Sequence, residues 1–407
     1  MANVAWWGAD GLTLRRVLSD QLYSELSRLR LGSPDGLPPW LWTDDMPLDG
    51  QDVAIDSLDL LSLSAAVAEM LPDADVRLPG SGQFGAWCDA IAQGLSRPPR
   101  HVTFRSSGST GAPRRTTHRL DRLEQEAAAL ARLIGGRQRV LSAIPAHHAY
   151  GFIHSVLLPR HLATPAAPPE PVELRGQPAS QLASLLRPGD LVLGHPAFWD
   201  AALRGITGTL PPGVVGVTSS APCPADIALG LRAVGLDRLL QVYGSAETAG
   251  IGWRDEPADP YTLLSGWQRD GEALRRAAQQ VAPPDRLAWE GDRFRVLGRH
   301  DGAVQVGGVN VSPEQVGAAF ARHPAVAGVA VRAMRPDEGA RLKVFVVPAG
   351  PIGDPGALRA ELRRFAAATL SPAERPGAYS FGDALPRNAM GKLADWITPD
   401  LDATART

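Results

Sequence analysis

The densest group of residues suited to binding phosphate is a Ser/Thr/Gly-rich stretch that directly follows a predicted strand. It consists of Ser106, Ser107, Gly108, Ser109, Thr110 and Gly111. Its hydroxyl groups and flexible backbone N–H groups suit wrapping around a polyphosphate, and Arg114 and Arg115 add positive charge. The spacing differs from the GxxxxGK[ST] nucleotide loop, which also requires a lysine. A flexible linker is the alternative, but a linker is not typically followed by Pro113 and two arginines in a strand pattern.

A lysine near the C-terminus is the second candidate for chemistry. The chain has 41 basic residues, and only Lys343 and Lys392 among them are lysines. An ammonium group is a compact point charge, whereas a guanidinium group is planar and bulkier, so the two are not interchangeable at a crowded reaction centre. The Gly391–Lys392 pair therefore predicts a site where a compact cation stabilises negative charge.

Two other groups of reactive side chains favour structural roles. His147 and His148 are adjacent, but no Cys, Asp or Glu stands at ligand spacing, so we expect pocket wall or packing rather than a metal site. Cys223 has no evident base near it in the sequence, which argues against a nucleophile.

Composition excludes several classes of protein. The 407 residues carry 41 basic and 43 acidic side chains, a formal charge of -2, which argues against a nucleic-acid or anionic-membrane binder. We find no signal peptide and no apolar run near the roughly 20 residues of a membrane span. Two cysteines cannot make a disulfide framework. We expect a cytoplasmic, soluble protein of two or three domains.

The elements that must position these residues fall into three regions. Residues 1–97 are expected to be helical, with helices over 12–31, 56–70 and 84–95 and a linker at 97–100. Residues 98–298 alternate between strands and helices, which predicts an α/β domain with a substantially parallel sheet. Its candidate strands are 101–104, 140–144, 190–193, 214–218 and 239–242, and its candidate helices are 119–134 and 224–234. Residues 299–407 predict a small α+β domain, with helices over 313–322 and 355–369 and strands over 326–331 and 342–347.

Six motifs in order resemble those of the adenylate-forming superfamily, which includes acyl- and aryl-CoA synthetases, nonribosomal peptide synthetase adenylation domains and luciferases. The Ser/Thr/Gly-rich stretch resembles the phosphate loop of these enzymes. The other five are residues 145–151 (PAHHAYG), 242–248 (VYGSAET), 298–301 (GRHD), 304–311 (VQVGGVNV) and 385–392 (LPRNAMGK). The resemblance implies a truncated adenylation large domain over 98–298 and a small mobile domain over 299–407.

The same resemblance implies roles for individual residues. Lys392, Glu247 and His148 would be catalytic, Glu247 would also bind Mg²⁺, and Asp301 would be the hinge. ATP or AMP would be bound by the phosphate loop (Ser106, Ser107, Gly108, Ser109, Thr110, Gly111) and by Arg114, Tyr243, Gly244, Ser245, Asp285 and Arg299. In this set Tyr243 would stack on adenine and Asp285 would bind the ribose hydroxyls. The acid would lie against His148, Tyr150, Gly151, Ser219, Ser220, Tyr243 and Gly244.

The first 97 residues are shorter than the usual front half of an adenylation domain. Asp56–Ser57–Leu58 and the spacing of the three helices resemble an acyl carrier protein, which makes Ser57 a possible phosphopantetheine attachment site. An ordinary N-capped helix is the alternative, because Asp and Ser favour that position anyway. Acidic residues for docking partner enzymes are sparse, with only Asp59 and Glu69 between Ser57 and Leu71. We therefore expect a carrier-like fold whose serine is unmodified.

Together these features predict an ATP- and Mg²⁺-dependent acid–thiol ligase. It would adenylate a hydroxybenzoate-like aryl acid and transfer it to the phosphopantetheine thiol of an acyl carrier protein, as in the short ligases of aryl-polyene and xanthomonadin-type pathways that it resembles. Coenzyme A is the alternative acceptor. A non-catalytic carrier-like scaffold with a degenerate nucleotide-binding domain is an alternative of another class, which the joint retention of Lys392, Glu247 and Asp285 disfavours.

Overall fold

The computed structural model describes residues 11–30, 37–48, 53, 55–75, 78–79, 82–95, 99–106, 114–162, 169–300, 302–335, 338–351, 354–386 and 393–396. These residues form two compact units. The first contains the described residues up to Ser106 together with Arg114–Leu297, and the second begins at Gly298. The boundary expected after residue 298 lies one residue from this division. The helices before residue 97, in contrast, belong to the same unit as the sheet.

Three helices open the first unit where the sequence predicts them: α1 (Gly11–Leu29), α2 (Ser57–Met70) and α3 (Phe84–Gly94). In α1 the buried residues Leu14, Leu18, Leu22 and Leu26 recur every fourth position, which gives the helix one apolar stripe. This stripe packs into the same hydrophobic core as the sheet residues. The shared core does not support the expectation of a separate carrier-protein-like domain.

Strand β1 (His101–Ser106) differs from expectation. The sequence predicts it as part of the parallel sheet, but it pairs antiparallel with β2 (Arg114–Arg119) in a separate two-stranded hairpin. The seven residues between the strands are too few for the crossover that a parallel connection requires, so the chain returns as a hairpin.

The main sheet has nine strands in the order β13-β14-β9-β8-β7-β6-β5-β3-β4. Its parallel half contains β3 (Arg139–Ser142), β4 (Glu170–Glu173), β5 (Leu191–Gly194), β6 (Val215–Thr218) and β7 (Arg238–Ser245). Its other half contains β8 (Ala249–Arg254), β9 (Tyr261–Leu263), β13 (Asp285–Glu290) and β14 (Arg293–Arg299). The chain between β9 and β13 forms a separate three-stranded antiparallel sheet of β10 (Gln268–Asp270), β11 (Ala273–Arg276) and β12 (Gln279–Val281).

Helices cover both faces of the main sheet. In β5 the side chains of Leu191 and Leu193 enter one core and that of Val192 enters another, because alternate residues of a strand point to opposite faces. The first core includes α4 (Leu120–Ile134) and α5 (residues 149–162, with a π-helical segment Phe152–Leu157). The second includes α6 (Leu182–Leu185), α7 (Pro196–Gly205) and α8 (Ala225–Ala233).

The second unit is the small α+β fold that the sequence predicts. It contains the hairpin β15 (Val304–Val306) and β16 (Val309–Val311), the helices α9 (Pro313–Phe320) and α10 (Pro355–Thr369), and a sheet of β17 (Val326–Ala333), β18 (Leu342–Pro348) and β19 (Ala378–Phe381). Strand β18 pairs antiparallel with β17 and parallel with β19. Within the described parts of both units, no helix is long and apolar enough to cross a membrane.

Candidate active site

The predicted phosphate loop connects the two strands of the β1–β2 hairpin. Ser106 is opposite Arg114 in the antiparallel register, so residues 107–113 join the strands at this end. Residues 107–113 and the side chains of Ser106 and Arg114 lie outside the described part of the structure, as do Asp301 and Lys392. Their predicted roles therefore remain predictions.

Two N-terminal helices support the hairpin behind this loop. Arg105 donates two hydrogen bonds to Glu69 of α2, at 2.6 and 2.8 Å, and one to Glu25 of α1, at 2.5 Å. Arg115 on the neighbouring strand lies 2.8 Å from Glu69. The loop end of the hairpin is thus tied to the helices by a network of charged side chains.

The turn between β7 and β8 carries Glu247. A Cβ atom at Gly244 would lie 2.2 Å from the carbonyl oxygen of Ala249, so only glycine fits where the two strands approach each other. Beyond it, the N–H of Ser245 donates to Thr248 Oγ1 at 3.1 Å and the N–H of Thr248 donates to Ser245 Oγ at 3.2 Å. These bonds shape a tight turn that presents the partly exposed Glu247 carboxylate.

The hairpin and this turn are joined by a histidine that sequence reasoning missed. Nε2 of His118, in β2, donates to the carbonyl oxygen of Ala246 at 2.6 Å. Burial lowers the pKa of His118, which leaves the imidazole neutral at pH 7. No local sequence signal marks this contact, because its two residues are 128 positions apart.

Tyr243 and Asp285, predicted to bind adenine and ribose, are brought together. The Tyr243 hydroxyl donates a hydrogen bond to Asp285 Oδ2 at the start of β13. The Tyr243 ring also packs against Tyr261 and Phe294, each with its ring centroid 5.5 Å away. The aromatic side chain and the carboxylate are therefore held side by side, as a nucleoside site would require.

Several predicted acid-pocket residues lie at the carboxyl ends of the parallel strands, the usual ligand-binding edge of such sheets. The Tyr150 hydroxyl donates to the carbonyl oxygen of Gly194 at 2.8 Å, and Ser219 Oγ donates to that of Val242 at 2.7 Å. Ser220 has a left-handed backbone with φ 76°. Because both hydroxyl groups donate to the main chain, Tyr150 and Ser219 contribute shape to this edge rather than free donors.

The segment before α5 approaches its neighbours closely. A Cβ atom at Gly151 would lie 1.7 Å from the carbonyl oxygen of Pro145, which excludes any side chain there. His148 is exposed, and its ring centroid lies 3.9 Å from that of His147. Desolvation lowers the pKa of His147 well below its ordinary value and that of His148 to about 4, so both rings are neutral at pH 7. Gly151 thus has a steric role, and His148 is the accessible imidazole of the pair.

Glu247 fits a magnesium ion shared with a nucleotide better than an all-protein metal site. Across the described residues, no group of three His, Cys, Asp or Glu side chains is placed to hold a metal. Mg²⁺ commonly retains several waters and is bound by one or two carboxylates plus substrate phosphates. A single partly exposed carboxylate next to the nucleoside residues matches that donor set.

A cavity of about 390 Å³ lies beside the turn between β7 and β8 that carries Glu247. Its lining includes His118, Arg122, Thr248, Trp267 and Arg276, and none of the predicted acid-pocket residues. Arg276 is buried and was not singled out by the sequence, because its position depends on the β10–β12 sheet.

The remaining predicted residues lie elsewhere in the chain. Arg299 is the last residue of β14 and lies just past the unit boundary at Gly298, whose φ of 115° favours glycine. Ser57 is exposed as the first residue of α2, whose amino end is capped by Asp56.

Comparison with known proteins identifies the family. Residues 315–392 match the family model described as the AMP-binding enzyme C-terminal domain. A 4-coumarate–CoA ligase from Halorhodospira halophila is 39% identical over 86% of this chain and 90% of its own length. Another from Rhodobacter capsulatus is 36% identical over 94% of this chain and 100% of its own length. The o-succinylbenzoate CoA synthetase of Bacillus subtilis shares the fold, with a TM-score of 0.56 at 21% identity over 72% of this chain and 67% of that one. The chain therefore belongs to the adenylate-forming superfamily and is an AMP-forming acid–thiol ligase.

Proposed function

We propose that the protein activates an aryl carboxylic acid of the 4-coumarate type as its acyl-adenylate and transfers the acyl group to the thiol of coenzyme A. The observation that carries this proposal is the 39% identity to a 4-coumarate–CoA ligase over nearly the whole chain. The pairing of Tyr243 with Asp285 supports it, because it places the two nucleoside-binding candidates side by side.

In the first half-reaction a carboxylate oxygen attacks the α-phosphorus of ATP, and the bond to pyrophosphate breaks. Tyr243 stacks on adenine, and Asp285 accepts hydrogen bonds from the ribose hydroxyls. Glu247 would hold a Mg²⁺ ion, which would neutralise phosphate charge. Lys392 places an ammonium group between the incoming carboxylate and the phosphate, where negative charge develops.

In the second half-reaction the thiol sulfur attacks the acyl carbonyl, the thiol loses its proton and AMP departs. The resemblance to the family implies that the second unit turns about Asp301 between the two steps. His148, the exposed member of the histidine pair, is the candidate imidazole beside the acyl group.

An aryl acid suits the residues at the carboxyl edge of the sheet. Tyr150 and Tyr243 supply aromatic rings, and Ser219 and Ser220 complete this wall between β6 and α8. Planar rings pack well against other aromatic rings.

Coenzyme A replaces the carrier protein as the favoured acceptor. The ligases similar to this chain are named for coenzyme A, and the helices that suggested a carrier protein share the core of the first unit. The motif resemblance described in the sequence analysis favours a different pair of substrates, a hydroxybenzoate-like acid and a carrier-protein thiol, and this pair is the alternative to 4-coumarate and coenzyme A. Because the cytoplasm supplies both ATP and coenzyme A, this proposal places the enzyme there.

A pyrophosphate-release assay tests the proposal. The purified protein is given ATP, Mg²⁺ and one of four acids: 4-coumarate, 4-hydroxybenzoate, benzoate or octanoate. In parallel reactions coenzyme A or a phosphopantetheinylated carrier protein is added as acceptor, and the thioester products are identified by mass spectrometry. We expect the highest kcat/KM with 4-coumarate and a coenzyme A thioester as product, and no activity in Glu247→Gln. A preference for the carrier protein would overturn the acceptor, and no pyrophosphate release with any acid would favour the non-catalytic scaffold.

A further inference from the structure

The second lysine of the chain lies completely buried in the second unit. Lys343, in β18, has no solvent-exposed surface. Its Nζ donates to Glu338 Oε2 at 2.8 Å and to the carbonyl oxygen of Trp396 at 2.8 Å, and lies 2.9 Å from Asp395 Oδ1. All three ammonium protons therefore have acceptors.

This arrangement explains why a chain rich in arginine has lysine here. Burying a charge is costly unless opposite charges and hydrogen bonds satisfy it fully. Three acceptors surrounding one nitrogen match a compact ammonium group, whereas a planar guanidinium group would spread its donors over a wider fork. The Lys343 ammonium also lies 5.2 Å from the centroid of the Trp396 ring, which packs against Phe345 at a centroid distance of 5.7 Å.

Two of the three residues bound by Lys343, Asp395 and Trp396, belong to the segment that follows Lys392 in sequence. Within this segment, the carbonyl oxygen of Leu393 accepts a hydrogen bond from Arg332 at 2.7 Å, and the N–H of Ala394 donates to the carbonyl oxygen of Pro386 at 2.9 Å. The bond between Ala394 and Pro386 joins residues on either side of Lys392 in the sequence. One peptide bond separates Lys392 from this anchored segment.

We propose that Lys343 is a positioning residue for adenylation: by holding Asp395 and Trp396 against β18, it fixes the end of the chain segment from which Lys392 acts. This inference rests on the role proposed above for Lys392. Losing the anchor would let the segment shift, and a displacement of about 1 Å in a catalytic group can lower a rate by about 100-fold.

The main experiment compares Lys343→Met with wild type in the full-length protein. We expect acid-dependent pyrophosphate release to fall by about 10- to 100-fold, with an unchanged rate of capture of a supplied acyl-adenylate by coenzyme A. The matched control is Glu361→Gln, which alters a different side-chain contact of the second unit, that of Glu361 Oε1 with His323 Nε2 at 3.5 Å. This control should leave both rates unchanged. An equal loss of both half-reactions in Lys343→Met would overturn the proposal, because it would indicate a general structural role.

A double-mutant cycle distinguishes positioning from stability. In a Lys392→Ala background, measured under single-turnover conditions, Lys343→Met should cause no further loss of adenylation, because the group it positions has been removed. Fold-losses that multiply in the double variant would overturn the proposal.

A milder variant covers the case in which Lys343→Met does not fold. Asp395→Asn removes one partner and leaves Lys343 with Glu338, and Asp395 also lies 3.5 Å from Arg335. We expect it to lower adenylation selectively, with faster amide hydrogen exchange at residues 393–396 than in wild type. Unchanged adenylation in Asp395→Asn would overturn the proposal. If wild-type protein released no pyrophosphate with any acid, the proposed function would fail. If wild type were active and Asp395→Asn adenylated the acid at the same rate, only the positioning role of Lys343 would be refuted.

Discussion

Arg105 and Glu69 form a two-point ion pair, with Nε 2.6 Å from Oε1 and Nη2 2.8 Å from Oε2. Arg105 is the last residue before Ser106, where the predicted phosphate loop begins, and Glu69 lies in the last turn of α2. The hydrogen bonds from Arg105 hold the pKa of Glu69 below its ordinary value. Helices α1 and α2 therefore support the strand that leads into the predicted phosphate loop.

Removing this support should affect both stability and ATP binding. We expect Glu69→Gln to lower the free energy of unfolding by about 2 kcal/mol, the scale of a hydrogen bond to a charged group, and to raise the KM for ATP. Chemical denaturation and pyrophosphate-release kinetics measure the two effects. The control is Asp121→Asn, which breaks the exposed pair between Arg119 at the end of β2 and Asp121 in the first turn of α4, and it should have little effect on stability. Equal effects of the two variants would argue against the support role.

Loss of the Tyr243 hydroxyl should weaken nucleotide binding specifically. Tyr243→Phe retains the ring but frees Asp285 from its hydrogen bond. We expect the KM for ATP to rise by about 10-fold, equivalent to about 1.4 kcal/mol, with no change in the KM for the acid. Tyr261→Phe is the control, because Tyr261 packs against Tyr243 without a described bond to Asp285. The same rise in both variants would contradict the ribose role of Asp285.

Lys392→Ala should lower adenylation by about 100-fold, the scale of losing one oriented group that stabilises developing charge. Capture of a supplied acyl-adenylate by thiol should suffer far less, because that step breaks the acyl C–O bond to AMP and no P–O bond. Rapid-quench measurements of each half-reaction provide the comparison. Lys392→Arg, which retains the charge in a bulkier form, should not restore the rate. Equal losses in both half-reactions would refute the proposed role.

A buried carboxyl group should make stability depend on pH. Burial raises the pKa of Glu126 from its ordinary value of 4.5 to about 8, against the opposing effects of Arg276 and the Gly250 N–H. Between these two values the folded protein retains a proton that the unfolded chain has released. This group's contribution to the free energy of unfolding therefore falls as the pH rises from 4.5 to about 8, by up to about 1.4 kcal/mol per pH unit, and is constant below that range.

Glu126→Gln removes that titration. Denaturation of both proteins at several pH values from 5 to 8 should show wild type losing stability relative to the variant as the pH rises. Parallel stability curves would show that Glu126 does not retain its proton in the folded state.

Ser57 should remain unmodified. It is exposed at the start of α2, but that helix is packed into the core of the first unit and its Glu69 is bound to Arg105 and Arg115. Incubation with a broad-specificity phosphopantetheinyl transferase and coenzyme A should leave the intact mass unchanged, while a known carrier protein in the same tube gains one arm. A mass gain that disappears in Ser57→Ala would prove this prediction wrong.

Local sequence spacing was sufficient to predict the elements that depend on near neighbours. The apolar residues of α1 recur every fourth position, and Asp56 accepts hydrogen bonds from the N–H groups of Leu58 and Asp59, so both helices could be placed from a few consecutive residues. The motifs containing Glu247 and Lys392 were likewise visible as short strings, and with them the enzyme class. In these cases the interacting groups lie within one turn or one loop of each other.

Tertiary structure alone decided how those pieces support one another. Tyr243 and Asp285 are 42 residues apart, Arg105 and Glu69 are 36 apart, and Lys343 and Trp396 are 53 apart. The contacts within these pairs depend on strand order, on the hairpin that β1 forms with β2, and on which apolar faces share a core. Spacing along a chain does not encode these choices locally, because the burial that favours them is summed over the whole fold.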